Sequence, residues 1–337
     1  MSDRRIVSTL DYPTREAWTS RVMVVRPGSG GAVKQRLGMV GAMLRAARPG
    51  RVLVVDGSMG IHAGNPDLLV AALLGLLPRR FRPAMVMAEA NWKPATGWQK
   101  RLRKAGMRAI SRGIDVFCVV SRHEEGLFRQ TWGLDPRCRI VYTPFYWTLD
   151  ESELAVPVKE GRIVFAGGNP LRDYATLIEA VRDLDVPVVL ATSRPDVVNR
   201  TDLPANVTAG RITHQEFVER MREAAVVVVS LMAGTERSGG EQTYLNAMAM
   251  GKLVVVSDSP GVRDYVTDGE TGIIVPPGDV AAMRAALARA LDPANAAEVS
   301  RMVEAAKTRA AEFTPQRWVD ALLDVADSLL PERPTTA

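Results

Sequence analysis

The feature that most constrains the fold is an alternation of strand-like and helix-like segments that runs through the chain twice. In residues 1–150, β-rich runs at 22–26, 52–56, 84–88, 116–121 and 140–143 are separated by helical patterns at 33–47, 66–77, 97–112 and 124–131. From residue 162 the alternation returns. Strands are expected at 162–166, 186–191, 207–209, 226–230, 253–257 and 273–275, and helices at 174–182, 214–222, 243–250 and 280–291. Parallel strands need a crossover between them, and a helix is the usual one. The pattern therefore predicts an α/β chain with two doubly wound, Rossmann-like domains that hold ligands at the C-terminal strand ends. A chain of 337 residues is long enough for two separate cores.

Asp150-Glu151-Ser152-Glu153, Pro157 and Gly161 read as a linker, which puts the domains at 1–152 and 158–313. Residues 314–331, with Trp318, Leu322, Leu323 and Val325, read as a final amphipathic helix. Residues 1–20 read as an extension ahead of the first strand.

Charge is divided unevenly. Residues 1–150 carry 24 Lys and Arg against 11 Asp and Glu, a balance of +13, while the remainder carries −8. A basic half joined to an acidic half implies that one of them meets an anionic surface or ligand. The helix predicted over 97–112 concentrates this charge. Lys100, Lys104, Arg108 and Arg112 recur every four residues with Arg101 beside them, forming a basic stripe suited to anionic lipid headgroups or an acceptor's phosphate, unless it is simply a solvated face. No aromatic stacking series accompanies it, so nucleic acid is not the expected partner. The opening residues have no apolar signal core and no apolar run reaches bilayer length; the expected location is the cytoplasm, with peripheral attachment to the inner membrane face. Cys118 and Cys138 lack metal-ligand spacing, and no metal site is expected.

The chemistry is expected near residues 238–279. Gly239-Gly240 precede a helix, and a glycine loop opening a helix gathers free N–H groups and the positive end of the helix dipole, a setting for phosphate. The alternative is that these glycines only cap and turn. In the first half, a glycine loop around Gly30-Gly31 and an acid at Asp56 could imitate a dinucleotide fold, but Val33 stands where the fingerprint needs its third glycine. His62 is a further cleft candidate. Asp183-Leu184-Asp185 is formally an Asp-x-Asp triplet, at the wrong sheet end for a metal–diphosphate site.

The whole of 238–279 resembles the donor-binding signature of GT-B glycosyltransferases, in particular the retaining family four (glycosyl transferases group 1). Asn246-Ala247-Met248-Ala249, Gly251, Gly261, Asp268-Gly269, Thr271-Gly272 and Pro277-Gly278-Asp279 carry the resemblance, and Gly30-Gly31-Ala32 matches the family's first loop. Ser238 and Asn246 stand where the family has two glutamates, with Glu241 one turn away. The resemblance implies two domains facing a cleft, with the last helix returning to the first domain. It implies transfer of a sugar from a nucleotide diphospho-sugar to an acceptor hydroxyl, with retention, no permanently bound cofactor and no metal; the acceptor is a glycan, lipid-linked or anionic. The implied donor contacts are Gly30, Gly31, Gly168, Asn169, Arg172, Arg194, the backbone of Ile212, Ser238, Gly239, Gly240, Glu241, Gln242, Thr243 and Asn246. Arg172 would neutralise the leaving diphosphate, Glu89 would be a general base and Glu241 would stand in for a missing glutamate. A nucleotide-sugar epimerase and a binding protein without turnover are the alternatives.

Overall fold

Runs of Val, Ile and Ala with no polar face become strands covered on both sides, as all-parallel sheets require. The computed structural model describes residues 4–27, 29–58, 60–62, 64–158 and 161–331. Two compact units divide the chain. The first comprises residues 1–144 and 316–337, and the second comprises 145–315.

In the first unit the elements run β1 (Ile6–Ser8), α1 (Glu16–Arg21), β2 (Val22–Val24), α2 (Ala32–Ala46), β3 (Val52–Asp56), α3 (Pro66–Leu74), β4 (Ala84–Ala88), α4 (Gly97–Ile110), β5 (Val116–Val119), α5 (Arg122–Trp132) and β6 (Arg139–Tyr142). The sheet is parallel in the order β2-β1-β3-β4-β5-β6. The expectation for residues 1–20 is corrected here: Ile6, Val7 and Ser8 are buried between β2 and β3 and form an interior strand of the sheet. Local signals set the helix ends. Asn65 caps α3 ahead of Pro66, Ser121 caps α5, and Gly133 ends α5 in the left-handed conformation. Helices α2, α3, α4 and α5 pack side by side as one layer.

The second unit runs α6 (Glu151–Ala155), β7 (Ile163–Gly167), α7 (Tyr174–Ala180), β8 (Val188–Ala191), α8 (Pro195–Val198), β9 (Val207–Gly210), α9 (His214–Glu223), β10 (Ala224–Val229), α10 (Glu241–Met250), β11 (Leu253–Ser257), α11 (Val262–Tyr265), β12 (Ile273–Val275), α12 (Val280–Leu291) and α13 (Ala296–Ala310). Its parallel sheet has the order β12-β11-β10-β7-β8-β9. Val226 to Val229 on β10 and Val254 to Val256 on β11 are fully buried and form its centre. Residues 145–152, expected with the first domain, make their contacts in the second unit. The Trp147 N–H donates to the Phe313 carbonyl, and Asp150 and Glu153 form a capping box at the start of α6. Glu153 is also held from α9, by His214 on its carboxylate and by Arg222 on its carbonyl.

Helix α14 (Pro315–Asp327) closes the chain. Past Pro315 it belongs to the first unit, where Trp318 Nε1 donates to the Tyr12 hydroxyl at 2.8 Å and Arg21 pairs with Asp327. Arg5 reaches the carbonyl of Pro331 beyond the helix. Among the described residues no helix is long and apolar enough to cross a membrane.

Candidate active site

In an open parallel sheet, ligands gather where strand order reverses, because neighbouring loops leave for opposite faces there and open a crevice. In the second unit that point lies between β7 and β10. The loop after β7 and the loop after β10 are joined by an isolated antiparallel bridge, Arg172 to Leu231. Around it the Met232 N–H donates to the Leu171 carbonyl and the Asp173 N–H to the Ser230 carbonyl. Two glycines face this crossing. Gly168 has φ +106°, and Gly240, the N-cap of α10, has φ +90°. A β-carbon on Gly168 would lie 2.8 Å from Arg172 Nη2, and one on Gly239 would lie 2.8 Å from Leu171 Cδ1. Both loops are therefore packed backbone against side chain beside the N-terminus of α10. That is the arrangement in which a helix terminus receives phosphate oxygens.

The residues assigned by sequence fall into two groups. Gly168, Gly239, Gly240 and the first turn of α10 do come together. Gln242 and Glu241 lie in that turn, whereas the Thr243 N–H is already taken by the Gly240 carbonyl. Asn169 is exposed at the rim, with its amide tied to Thr192, Ser193 and their loop. Ile212, two residues beyond the end of edge strand β9, is half-buried.

Arg172 is placed differently from the expectation of a guanidinium open to a diphosphate. Leu171 has φ +58°, a left-handed backbone that turns the next side chain inward. The guanidinium is buried: Nε donates to the Gly167 carbonyl at 2.9 Å, Nη1 to the Pro170 carbonyl at 3.2 Å, and Nη2 to Thr243 Oγ1 at 3.1 Å. Burial weakens its hold on the proton, and the nearby Tyr174 and then Glu241 partly restore it. Arg172 therefore braces the loop against α10 from beneath. Glu241 is itself buried beside that guanidinium. Arg194 is committed too, donating to the Arg172 carbonyl and pairing with Asp196 through two nitrogens.

The two positions where the resemblance would place glutamates are also engaged or closed off. Ser238 is fully buried. Asn246 Oδ1 accepts the Thr148 N–H at 2.7 Å, and its Nδ2 donates to Thr148 Oγ1 at 3.2 Å. Gln242 Nε2 donates to the same hydroxyl at 2.8 Å. An amide can accept and donate at once, which a carboxylate cannot, and Asn246 uses both capacities to clasp the segment that leads into α6.

In the first unit the point of strand reversal lies between β1 and β3. Gly30 and Gly31 follow β2, an edge strand, and are exposed at the start of α2, so the first-loop match does not sit at the reversal. The residues that do are 9–11 and the loop after β3. There Trp92 Nε1 donates to the Gly57 carbonyl and Asp56 Oδ1 accepts the Ser58 N–H. Glu89, the residue after β4, has φ +52°, an uncommon backbone for a residue with a β-carbon. Burial, and then the charge of Asp56, push its carboxyl up to about 7. Asp67 at the start of α3 is pushed to about 7 by the same two causes. Proton exchange near neutrality suits a general base. His62 is exposed, its Nδ1 accepting the Gly64 N–H. Asp183 lies before β8, at the opposite sheet end, near Arg284.

The raised carboxyl gives a signed prediction. Between the unfolded value near 4.5 and the folded value near 7 the native state holds more proton on Glu89, so stability is highest below this window and falls as pH rises through it. Glu89→Gln removes that slope. The melting temperature of the variant relative to wild type is expected to rise between pH 4.5 and pH 8; a constant difference would show that the carboxyl titrates normally.

Residues 160–293 match the family model described as Glycosyl transferases group 1. No curated protein matches the chain in sequence. Among solved structures, a glycosyltransferase from Rickettsia africae ESF-5 is 12% identical with a TM-score of 0.66, over 97% of this chain and 90% of that one. Anabaena Alr3699/HepE in complex with UDP is 14% identical with a TM-score of 0.66, over 96% and 99%. Sucrose-phosphate synthase (tll1590) from Thermosynechococcus elongatus is 20% identical with a TM-score of 0.62, over 95% and 86%. The chain thus has the GT-B fold, two parallel six-stranded sheets with flanking helices, and within its second unit residues 160–293 match the glycosyl transferases group 1 model.

Proposed function

We propose that the chain is a glycosyltransferase that takes a sugar from a nucleotide diphospho-sugar and passes it to an acceptor hydroxyl. The observation that carries this reading is the backbone cradle of Gly168, Gly239 and Gly240 at the strand reversal of the second unit, facing the N-terminus of α10, inside the segment that matches the family model. The diphosphate rests on the N–H groups at the start of α10, and the helix dipole stabilises the charge that builds up as the glycosidic bond breaks. Arg172 contributes from below by fixing the loop and adding a buried positive charge. No residue of the described chain is assigned to a metal, and the transfer proceeds with retention. On the first unit, Glu89 receives the proton of the acceptor hydroxyl, and the acceptor is lipid-linked or anionic. Solved structures of similar fold carry UDP, or UDP with glucose, in HepE and UDP with GlcNAc in the pneumococcal O-GlcNAc transferase GtfA, which makes a uridine donor the first to try.

One observation favours a second reading, a protein that binds nucleotide sugar without turnover. Asn246 is occupied by Thr148 and Ser238 is buried, so neither contacts a sugar as it stands. Calorimetry with UDP, GDP, dTDP, ADP and NAD, followed by assay of nucleotide release from the matching nucleotide sugars, separates the cases. Selective binding of one nucleoside diphosphate with acceptor-dependent release is the expected result. Binding without release with any acceptor supports the second reading. A preference for NAD, or no nucleotide bound, sinks both.

A further inference from the structure

Of the basic residues expected to form a stripe on α4, Lys100, Arg101, Arg108 and Arg112 are exposed and Lys104 is half-buried. Met107 is the helix's buried residue, Ile110 is half-buried, and Lys104 turns toward α5, where Nζ donates to the Gln130 carbonyl at 2.7 Å. At 100° per residue these positions mark the inner side of α4, and Lys100 falls on the same side. The opposite side carries Trp98, Leu102, Ala105 and Ala109, and it points out of the unit. Trp98 is 74% exposed and Leu102 65%. The helix is thus amphipathic with its apolar face turned outward, the reverse of a helix packed only for its own core. The neighbouring helices continue this surface. Val33 at 70% and Leu37 at 64% lie one turn apart on α2, and Leu69 and Leu73 do the same on α3, with Leu76 at 80% just beyond it. Of the fifteen large hydrophobic side chains exposed among the described residues, ten fall between residues 33 and 102. Such a concentration on one helical layer marks an interaction surface.

Charge decides what covers it. Beside the apolar side of α4 stand Arg101 and Arg108, and α2 carries Lys34, Arg36 and Arg45; neither helix has an acidic residue. The sequence contains no Asp or Glu between Glu16 and Asp56 and none between Glu89 and Asp115. Apolar tips bordered by cations without counter-charges match an anionic bilayer, whose headgroups pair with the cations while Trp and Leu enter the interface. A second copy meeting this face about a two-fold axis would set cations against cations. We propose that the outer surface of α2, α3 and α4 docks the protein onto an anionic membrane, with Trp98 and Leu102 as inserted anchors. Helices α2 and α4 begin at the strand ends where Asp56 and Glu89 lie. If the chain is the transferase proposed above, docking therefore presents that end to an acceptor held in the lipid.

The test is co-sedimentation of the full chain with vesicles of phosphatidylcholine containing phosphatidylglycerol, and with vesicles of phosphatidylcholine alone. Wild type is expected to pellet with the anionic vesicles only. Both W98S/L102S and R101E/R108E are expected to reduce the bound fraction about tenfold or more. W98S/L102S replaces only exposed side chains, so its melting temperature and its nucleotide binding in solution should equal those of wild type. A failure of the donor reading would appear in the nucleotide titration and leave the vesicle result untouched. Docking is overturned if wild type stays in the supernatant, if the variants pellet like wild type, or if wild type forms a dimer in solution that W98S/L102S abolishes.

Discussion

Replacing Arg172 with alanine is expected to lower the stability of the second unit by about 3–5 kcal/mol, the usual cost of removing one member of a buried charged network. Three acceptors lose their donor at once: the carbonyls of Gly167 and Pro170 and the hydroxyl of Thr243. Glu241 also loses the positive charge beside it while remaining buried. Part of the loss is offset because the guanidinium no longer has to be held out of water. Arg172→Lys keeps a charge but cannot span three acceptors in one plane, and it should recover only a minor share. Urea unfolding of the full chain, followed in parallel with a nucleotide titration, reads both effects. A lowered midpoint together with lost binding is the expected pair. An unchanged midpoint with binding lost would mean that the guanidinium acts on the ligand directly, as the resemblance implies, and that the bracing role is wrong.

What could be seen in the sequence follows from how burial writes itself into composition. The valine runs of β10 and β11 and the five-residue strands β3 and β4 are covered on both faces, so their boundaries were predicted to within a residue or two, and β3, β4, β11 and β12 at both ends. Strand β1 escaped because three residues between Arg5 and a polar loop have no period, and only its neighbours β2 and β3 reveal that it is interior. Helix α13 escaped for a different reason: it buries Ala306, Ala310 and Met302, and alanines contribute little contrast against a solvent face that also contains alanine.

The candidate site was legible in its backbone and not in its side chains. Glycines that need positive φ can be read from the sequence, because few other residues serve there, and Gly168 and Gly240 proved to be such positions. The functional assignments of Arg172, Arg194 and Asn246 rest on the resemblance and on residue type, which state what a group can do and not what already occupies it. Leu171, in a left-handed conformation, turns Arg172 inward, and nothing in its side chain announces that. The clasp between Asn246 and Thr148 spans 98 residues of sequence, beyond the reach of any local pattern. On α4 the spacing of the cations was plain, yet which side faced outward depended on α5 accepting Lys104.

Gly240→Ala carries the other large expected effect, and it tests the cradle without touching a charged group. Gly240 has φ +90°, where a β-carbon adds about 1–2 kcal/mol of strain. Its β-carbon would also lie 2.6 Å from Cγ1 of Val229, a residue of β10 with no exposed surface and no room to withdraw. The loop can relieve the clash only by lifting away from the sheet, which shifts the first turn of α10. A weakening of nucleoside diphosphate affinity by ~100-fold is expected, equivalent to about 2.7 kcal/mol. Gly269→Ala is the matched control. Its φ is +70°, so the backbone strain is similar, but nothing lies within 4 Å of the added carbon and the turn is remote from the cradle. If Gly269→Ala loses stability while keeping full affinity and Gly240→Ala loses both, the diphosphate sits on the β7–β10 crossing. Equal affinity in the two variants would place the nucleotide elsewhere and leave the glycines as turn formers only.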